Sequence, residues 1–453
     1  MSEGGFPGPE AAATAYDYLD LNRAVAMYRY FYRSVSGAAI FDGTAAVGVR
    51  PNHAFGYMET LPHHVGYTLN SDTPYGALLL DLHAGPMVIE LPPGPFIGAA
   101  LDLHQRWIFD MGLPGPDGGR GGKHLLLPPG YQGAVPADHQ VGQADSYRVI
   151  GALRSLPEHG DVKTAMARIR EVKVYPLDAG PDWTAPTWFD MTDMPQDTTP
   201  HVYEQTMKFW EVLHRVVDSE PALADSRPHC GDLAALGIAK GLPFAPDARM
   251  TAIFEQAAQI GFAQMRAEGF ADRRPDRIVW PDRLWEWVSL RFENGTFDTA
   301  DYRDTYALDK WFFQAIATSP AMFRRDPGAG SLYWLGLRDG SGAYLDGSNN
   351  YRLTVPLPVP AHLFWSVTVY DAETRSQVQT EQANAALRSL FELRDLTGDT
   401  VDLYFGPTAP ADHADRWIQT VPGRGWFAYF RIYGPDKPAF DGTWKPADFS
   451  LID

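Results

Sequence analysis

Short apolar runs that end at glycine, proline or aspartate constrain the fold of this chain more than any other feature. Toward the C-terminus they are RLTVPLPVP (352–360), LFWSVTVYD (363–371), VDLYFGP (401–407) and WFAYFRIYGP (426–435). Runs of this kind, bounded by turn residues, are typical of strands, and their spacing favours an antiparallel sandwich or a jelly roll. Residues 56–155 also contain short apolar runs broken by glycine and proline, which predicts a second β domain.

Helical periodicity separates the two β regions. Apolar residues recur at helical spacing in 201–218 and 247–268, and we expect a further helix in 304–318. Residues 9–36 also have a helical pattern, and the residues that follow, 41–55, are expected to be irregular.

The length of 453 residues allows two or three domains. We predict a mainly β fold with an α insert, in which two β-sandwich or jelly-roll-like domains are joined by a helical region. The predicted parts are an N-terminal arm and helix (1–40), an N-terminal β domain (41–194), a helical connecting region (195–330) and a C-terminal β-sandwich (331–453).

The charge balance argues against two classes of partner. The chain has 38 Lys and Arg residues and 56 Asp and Glu residues, so its formal net charge is −18. An acidic surface repels phosphate backbones and anionic membranes, so we expect neither nucleic acid nor a membrane as a partner. The sequence has no long apolar span, and its first residues lack the pattern of a signal peptide. We therefore expect a cytoplasmic location.

The sequence also lacks the usual motifs for metals and nucleotides. Cys230 is the only cysteine, so neither an intramolecular disulfide nor a Cys-based zinc site can form. His63 and His64 are adjacent but belong to no HxH or HExxH pattern, and GGRGGK (118–123) lacks the spacing of a phosphate-binding loop. We predict no metal and no cofactor.

Hydrogen-bonding residues crowd together in TLNSDTPYGALLLDL (68–82), just before an apolar run. Asp72 could act as a general acid or base if burial raised its pKa, with Asn70 and Tyr75 beside it. The structural alternative is a strong turn, because Asn, Ser and Asp before a proline form Asx-type turns. The spacing alone leaves both interpretations open.

Two of the C-terminal runs have faces of different character, because side chains alternate along a strand. In 363–371 one face is core-like until Asp371, whereas the other mixes hydroxyls with aromatic rings. In 426–435 Arg431 shares its face with three aromatic residues. An arginine in such a setting can hold a carboxylate or stack on a ring, and the more common alternative is a structural arginine paired with a buried acid.

The loop after Tyr370 contains Asp371 and Arg375. Loops at strand ends carry function more often than strand interiors do. Arg375 could bind an anionic group of a substrate, and the alternative is an ion pair between Arg375 and Asp371.

Several phrases of the sequence together resemble the bacterial proteins that pair two domains of unknown function, the families numbered 1254 and 1214. The first domain is suggested by NSDTPYGALLLDL (70–82), GGRGGKHLLLPPGY (118–131) and VIGALR (149–154), which ends at Arg154. The second domain is suggested by YLDGSNNYRL (344–353), PAHLFWSVTVYDAETRS (360–376), YFGPTAP (404–410) and GWFAYFRIYGPD (425–436). The linking region is suggested by LAALGIAKGLPFAPD (233–247).

The resemblance implies two jelly-roll-like β-sandwiches with helices between them and a homo-oligomer, but no reaction. The chain departs from the family pattern at HADRW (413–417), where an Asn is expected beside the Trp, and at FELRDLTGDT (391–400), which replaces an Asp-Gly-Ser turn. Many relatives carry an export signal that is not found here.

We predict an acid–base enzyme of hydrolase or lyase type that acts on a small polar or amphipathic molecule where the two sandwiches meet, without metal or redox cofactor. Asp72 would transfer the proton, Tyr75 and Tyr370 would donate hydrogen bonds, and Arg375 would hold an anionic group. Trp365 would form a wall, and further contacts would come from Asn70, Arg154, Asp371 and Arg431.

Two other functions remain open at this point. A non-catalytic module that binds a carbohydrate or another small ligand would have exposed aromatic residues on one sheet. An assembly protein of jelly-roll type would have N-terminal arms, such as residues 1–15, around a neighbouring subunit. A fold-level analogy supports both as well as it supports an enzyme.

Overall fold

Two β-sandwiches and a layer of helices make up the protein in a computed structural model. This confirms the predicted mainly β fold with an α insert. Among the residues described, no helix combines the length and the apolar character needed to cross a membrane. The structure describes residues 2–180, 183–290, 295–323, 326–328 and 330–452.

The four predicted C-terminal runs are strands, residues 56–155 contain the predicted strands of the first β region, and further short strands lie outside these runs. They are β1 (Ser2–Glu3), β2 (Phe6–Pro7), β3 (Ala54–Met58), β4 (Tyr75–Asp81), β5 (Met87–Leu91), β6 (Phe96–Asp102), β7 (Trp107–Gly112), β8 (Gly122–Leu127), β9 (His139–Gln143), β10 (Arg148–Ser155), β11 (Lys173–Pro176), β12 (Thr187–Asp190), β13 (Glu286–Trp287), β14 (Ser331–Gly336), β15 (Asn350–Pro356), β16 (Ala361–Asp371), β17 (Ala386–Arg388), β18 (Thr400–Gly406), β19 (Trp417–Gln419), β20 (Trp426–Pro435) and β21 (Ser450–Ile452).

The N-terminal sandwich packs a sheet of order β12-β3-β4-β10-β6-β7 against a sheet of order β11-β5-β8-β9. Leu80 and Phe96 of the first sheet and Ile89 of the second belong to one buried apolar cluster between them. Strands β4 and β10 are antiparallel neighbours, and their register places Tyr75 opposite Arg154.

The C-terminal sandwich packs the sheet β13-β14-β20-β16-β17 against the sheet β19-β18-β15-β21. Its core contains Val367 and Phe430 from the first sheet and Leu353 from the second. Alternation along β16 and β20 therefore buries one face of each strand inside the sandwich, as predicted, and turns the opposite face toward the rest of the molecule.

Most of the helices form the layer that joins the sandwiches, whereas the helix that contains Ile169 packs on the N-terminal sandwich and the one that contains Ala439 packs on the C-terminal sandwich. They are α1 (Pro9–Ala46), α2 (Val162–Ile169), α3 (Lys208–Ser219), α4 (Arg227–Ala235), α5 (Ala248–Phe270), α6 (Thr305–Gln314), α7 (Pro320–Phe323) and α8 (Pro438–Asp441).

Helix α1 is longer than the sequence pattern indicated. The expectation of irregular structure from residue 41 is wrong up to Ala46, because buried residues such as Phe41 continue the helix. Tyr28 of α1 stacks on Phe209 of α3 with ring centroids 4.1 Å apart. A Cβ atom at Gly261 of α5 would lie 2.3 Å from the Tyr28 ring, so this close helix contact requires glycine.

The helical layer touches both sandwiches. Its apolar cluster includes Leu79 of the N-terminal sandwich and Tyr370, Phe427 and Tyr429 of the C-terminal sandwich. The outer faces of β16 and β20 are therefore buried, and they face the turn that precedes β4.

Candidate functional site

The turn before β4 lies against the outer face of β20. The Asp72 backbone N–H donates to Asn70 Oδ1 over 2.5 Å, which is the Asx turn that the sequence suggested. Asn70 Nδ2 also donates to the Tyr433 hydroxyl at 2.8 Å. The same asparagine thus closes the turn and ties the two domains together.

Asp72 is fully buried at this contact. Its Oδ2 atom accepts a hydrogen bond from the Ser366 hydroxyl over 2.8 Å. Its Oδ1 atom has no hydrogen-bond partner among the residues that the structure describes. Because buried carboxylate oxygens are almost always satisfied, Oδ1 is available for a group that the protein itself does not supply.

Arg154 reaches the same place from β10. Its Nε donates to Thr73 Oγ1 at 2.7 Å and its Nη1 to the Tyr433 hydroxyl at 3.0 Å. The guanidinium lies 5.1 Å from the centre of the Tyr75 ring. Its Nη2 atom is buried and has no partner within the described part of the chain, so a second donor at this site is unused.

Arg431 of β20 supplies another guanidinium. Its Nη2 donates to the Thr68 carbonyl at 2.8 Å, and its charge lies 4.9 Å from the ring centre of Tyr429 and 5.4 Å from that of Tyr370. The structure therefore places Arg431 among aromatic rings, and no described carboxylate forms a salt bridge with it.

Two phenols of this region keep their protons at neutral pH. Burial raises the pKa of Tyr370 and of Tyr75, and the neighbouring guanidiniums of Arg431 and Arg154 oppose only part of this effect. The Tyr370 hydroxyl donates to the Leu69 carbonyl at 2.7 Å. Neutral phenols of this kind can donate hydrogen bonds to a developing negative charge.

The backbone at this contact is conformationally strained. Thr68 has a φ of 48°, in the left-handed region that a β-branched residue seldom adopts. The hydrogen bond to its carbonyl from Arg431, and another from its N–H to the Arg375 carbonyl at 2.8 Å, hold it there. Strain of this kind persists only where the surrounding contacts over-determine the geometry.

We call this group of side chains the interdomain polar cluster. It combines one carboxylate with two guanidiniums, so it carries an excess of positive charge in a place shielded from water. Its members are Asn70, Asp72, Tyr75, Arg154, Tyr370 and Arg431, which the sequence singled out, and Thr73, Ser366 and Tyr433, which join them in the structure.

Ser366 and Tyr433 were the functional candidates that sequence reasoning passed over. A usable signal existed, because Ser366 alternates onto the face of Tyr370 and Tyr433 onto the face of Arg431. The register of β16 and β20 then places Ser366 opposite Arg431.

Three of the predicted site residues lie outside the interdomain polar cluster. Trp365 is in the C-terminal core, where its ring stacks on Phe430 with centroids 5.5 Å apart. Asp371 accepts hydrogen bonds from Arg424, one of them from Nη2 at 2.7 Å. Although burial alone would raise the pKa of Asp371, the hydrogen bonds from Arg424 and the backbone lower it.

Arg375 is the third of these residues. It is buried, and its Nη2 donates to Glu204 Oε2 at 2.5 Å. Its guanidinium also lies 4.3 Å from the centre of the Tyr67 ring and 4.4 Å from that of Phe313. The ion pair with Glu204 replaces the pair with Asp371 that the sequence suggested as an alternative.

A mainly apolar cavity of about 120 Å³ lies beside the same turn, between α1 and the N-terminal sandwich. Its walls include Ala39, Met58, His64, Tyr67 and Leu69. The Leu61 backbone N–H donates to His64 Nδ1 at 2.9 Å, so the ring is neutral with its proton on Nε2. Burial lowers the pKa of this histidine.

The described residues contain no group of three or more His, Cys, Asp or Glu side chains arranged to hold a metal ion. His63 and His64 are close together, with ring centroids 4.2 Å apart, but their ring nitrogens at His63 Nε2 and His64 Nδ1 are bonded to backbone groups.

Two family models match the chain. One, described as "Protein of unknown function (DUF1254)", matches residues 53–176, and the other, "Protein of unknown function (DUF1214)", matches residues 330–437. The interdomain polar cluster draws Asp72 and Arg154 from the first matched region and Ser366, Arg431 and Tyr433 from the second. A search of curated proteins found no match.

Two solved structures are similar over nearly the whole chain. The crystal structure of the VPA0106 protein from Vibrio parahaemolyticus is 17% identical, covers 96% of this chain and 100% of its own, and superposes with a TM-score of 0.60. A putative uncharacterized protein from Burkholderia cenocepacia is 12% identical, covers 97% of this chain and 96% of its own, and has a TM-score of 0.45. The first comparison shows that the two proteins share a fold.

Proposed function

The chain belongs to the family of proteins that carry a DUF1254 and a DUF1214 domain in tandem, and we propose that it is an acid–base enzyme of hydrolase or lyase type. Its substrate is a small polar or amphipathic molecule with an anionic group, bound at the interdomain polar cluster. The observation that carries this proposal is the unpartnered Oδ1 atom of Asp72, buried in the same cluster as the unpartnered Nη2 atom of Arg154.

Each of the main side chains has a role in this proposal. Asp72 accepts or donates the proton through Oδ1, while the Ser366 hydroxyl fixes the carboxylate through Oδ2. Arg154 and Arg431 hold the anionic group of the substrate, because guanidinium groups match carboxylate geometry. Tyr75 stabilises developing negative charge as a neutral phenol.

The neighbouring apolar cavity supports an amphipathic substrate. Its wall includes Leu69, whose carbonyl accepts the hydrogen bond from Tyr370. The apolar part of a substrate could lie in the cavity and its polar end near the cluster. Because Asp72 is fully buried, the substrate reaches it only when the contact between the two domains opens.

The test compares turnover by the unaltered protein and by the Asp72→Asn variant on a panel of small esters, amides and hydroxy acids. We expect the variant to lose a factor of about 10² to 10⁴ in kcat, the usual contribution of a general acid or base. The exposed residue Asp395 provides a matched control as Asp395→Asn. Equal turnover by Asp72→Asn would contradict the proposed role of this carboxylate.

Binding without turnover on every compound of the panel would instead favour the non-catalytic binding module. In that case a bound anion should stabilise the contact between the two domains. Arg154→Gln should weaken binding of the anion, while Asp72→Asn should not. This pattern separates the two functions, because only catalysis requires proton transfer by Asp72.

The N-terminal segment supports the homo-oligomer that the resemblance implies. Phe6, Tyr16, Tyr18 and Leu19 expose large apolar side chains, and Phe6 is 77% exposed. Exposed apolar patches often mark contacts between proteins. Light scattering of the unaltered protein and of a Tyr16→Ser, Tyr18→Ser double variant tests this, and a smaller assembly is expected for the variant.

A further inference from the structure

We propose that a polar cleft, lined by none of the residues of the interdomain polar cluster, binds a small organic carboxylate. The cleft has a volume of about 250 Å³ and lies between α1, α4 and the start of α6. We call it the Arg33 cleft, and the residues that matter to the inference are Arg29, Tyr30, Arg33, His229, Arg303 and Asp309.

Arg33 is the central feature of this cleft. Its side chain is buried, with only 6% exposure for the residue. Among the described residues, its guanidinium makes no hydrogen bond and no ion pair, although its carbonyl accepts a hydrogen bond from Gln105. None of its nitrogens is among the fully buried atoms without a partner, so the five donors of this group open onto the cleft, where a ligand can satisfy them.

The two other arginines of the cleft show what Arg33 lacks. Arg29 donates to Asp309 at 2.7 Å and to Glu268 at 2.8 Å. Arg303 in turn donates to Asp298 at 2.8 Å and to Asp225 at 3.0 Å. Both arginines therefore have carboxylate partners within the protein, whereas Arg33 forms no ion pair with a described residue.

The surroundings of Arg33 reinforce the demand for an anion. Burial, followed by repulsion from Arg106, lowers the pKa of Arg33 to about 10, and Asp102 only partly offsets this. The guanidinium is still charged at neutral pH. The Asp309 carboxylate, which pairs with Arg29, also interacts with Arg33, and a bound anion would add to this attraction and offset the repulsion from Arg106.

The walls of the cleft favour an organic anion over a bare ion. The rings of Tyr30 and His229 are stacked with centroids 3.6 Å apart, and Met27 and Leu308 add apolar surface. A planar carboxylate matches the two parallel N–H donors of a guanidinium, while a ring or short carbon chain can contact these walls.

The cleft is accessible from solvent. Ala26 and Thr305 at its edge are exposed, so a ligand can enter without movement of either sandwich. None of the lining residues belongs to the interdomain polar cluster. The two sites can therefore be tested separately.

The experiment measures binding by calorimetry and thermal unfolding with benzoate, with its uncharged analogue benzamide, and with inorganic phosphate. We expect saturable binding of benzoate and no binding of benzamide. Arg33→Gln should weaken benzoate at least tenfold. It should also unfold at the same or a higher temperature than the unaltered protein without ligand, because it removes a buried charge that has no ion-pair partner.

Two control variants test whether benzoate binds in the Arg33 cleft and not elsewhere on the protein. Arg352→Gln removes an exposed arginine of the C-terminal sandwich, whose side chain is 45% exposed, and should bind benzoate normally. Arg154→Gln separates the two sites, because Arg154 lies in the interdomain polar cluster and does not line the Arg33 cleft. It should also bind benzoate normally, and benzoate binding that is lost in Arg154→Gln but kept in Arg33→Gln would overturn the inference.

Several outcomes would overturn the inference. They are the absence of saturable benzoate binding to the unaltered protein, a preference for phosphate over benzoate, and unchanged benzoate affinity in a folded Arg33→Gln protein. If Arg33→Gln does not fold, Arg33→Lys decides, because it keeps the charge but loses the planar fork. Benzoate should then bind at least fivefold more weakly, and unchanged affinity would again overturn the inference.

Discussion

Arg375 and Arg431 are both buried against the short segment that contains Tyr67 and Thr68, but their charges are handled differently. Arg375 forms an ion pair with Glu204 at 2.5 Å and has aromatic rings around it. Arg431 donates to a backbone carbonyl instead. Arg154, in the same cluster as Arg431, donates to hydroxyl groups and leaves Nη2 unused. Arg375 also has two buried nitrogens, Nε and Nη1, without a partner among the described residues, so the contrast lies in how the charge is paired and not in the number of unused donors.

The difference separates a structural arginine from a candidate ligand-binding arginine. A buried ion pair contributes little net stability but is costly to break, so Arg375 and Glu204 are expected to matter mainly for folding. The interdomain polar cluster has two guanidiniums for the one carboxylate of Asp72, and this imbalance suits an anionic substrate. The following variants test whether the distinction holds.

Glu204→Gln should have the largest effect on stability. The substitution leaves the Arg375 guanidinium buried without an anionic partner, and we expect the free energy of unfolding to fall by about 3–5 kcal/mol. Urea denaturation at neutral pH measures this. Glu381→Gln, at an exposed position, is the matched control, and an equal effect of the two substitutions would show that the ion pair is not structural.

Ser366→Ala tests the support of Asp72. Without the hydroxyl donor, the buried Oδ2 atom loses its partner at 2.8 Å, and we expect a loss of about 2 kcal/mol. Ser450→Ala, a half-buried serine that donates to the Arg352 carbonyl at 3.2 Å, should cost much less. If both variants lose a similar amount of unfolding free energy, another hydrogen-bond donor or water satisfies Asp72 Oδ2 when the Ser366 hydroxyl is absent.

The faces of β16 and β20 were predictable from the sequence because strand alternation is a local property. This property already separated Trp365 from Tyr370 and placed Arg431 among aromatic residues. The pairing of these faces with other parts of the chain was not predictable. Ser366 reaches Asp72 across 294 positions, and Arg375 reaches Glu204 across 171.

The two interpretations of the segment 68–82 also illustrate this limit. Asn70 does form the predicted Asx turn, yet its amide also bonds to Tyr433 of the other domain. A structural role for a turn residue therefore did not exclude a place in the candidate site. The irregular structure expected after α1 failed for a related reason, because burial against distant helices extends α1 beyond its local pattern.

Asp72→Asn should affect stability less than Ser366→Ala. The amide can still accept the hydrogen bond from Ser366, but it places an unpartnered N–H₂ group where Oδ1 lies, and we expect a loss of about 1 kcal/mol. Urea denaturation of the protein used for the activity panel measures this value. A loss as large as that of Glu204→Gln would make Asp72 a structural carboxylate like Glu204, and its role in catalysis would lose its main support.

Arg424→Gln should have the smallest effect and a pH dependence that identifies its cause. Arg424 is 45% exposed, so its pair with Asp371 should contribute about 0.5 kcal/mol. The pKa of Asp371 is lowered in the folded protein, mainly by Arg424 once the opposing effect of burial is overcome. The folded state therefore binds fewer protons than the unfolded state near pH 4.

The contribution of this pair should accordingly be present above the ordinary aspartate pKa and should disappear as the pH falls through the lowered value. Urea denaturation of the unaltered protein and of Arg424→Gln at pH 7 and at about pH 3 provides the comparison. The difference between the two proteins should shrink at the lower pH. If the difference in the free energy of unfolding is the same at both pH values, Arg424 stabilises the protein through packing and not through its charge. The comparison of an exposed ion pair with the buried pair of Arg375 and Glu204 would then fail.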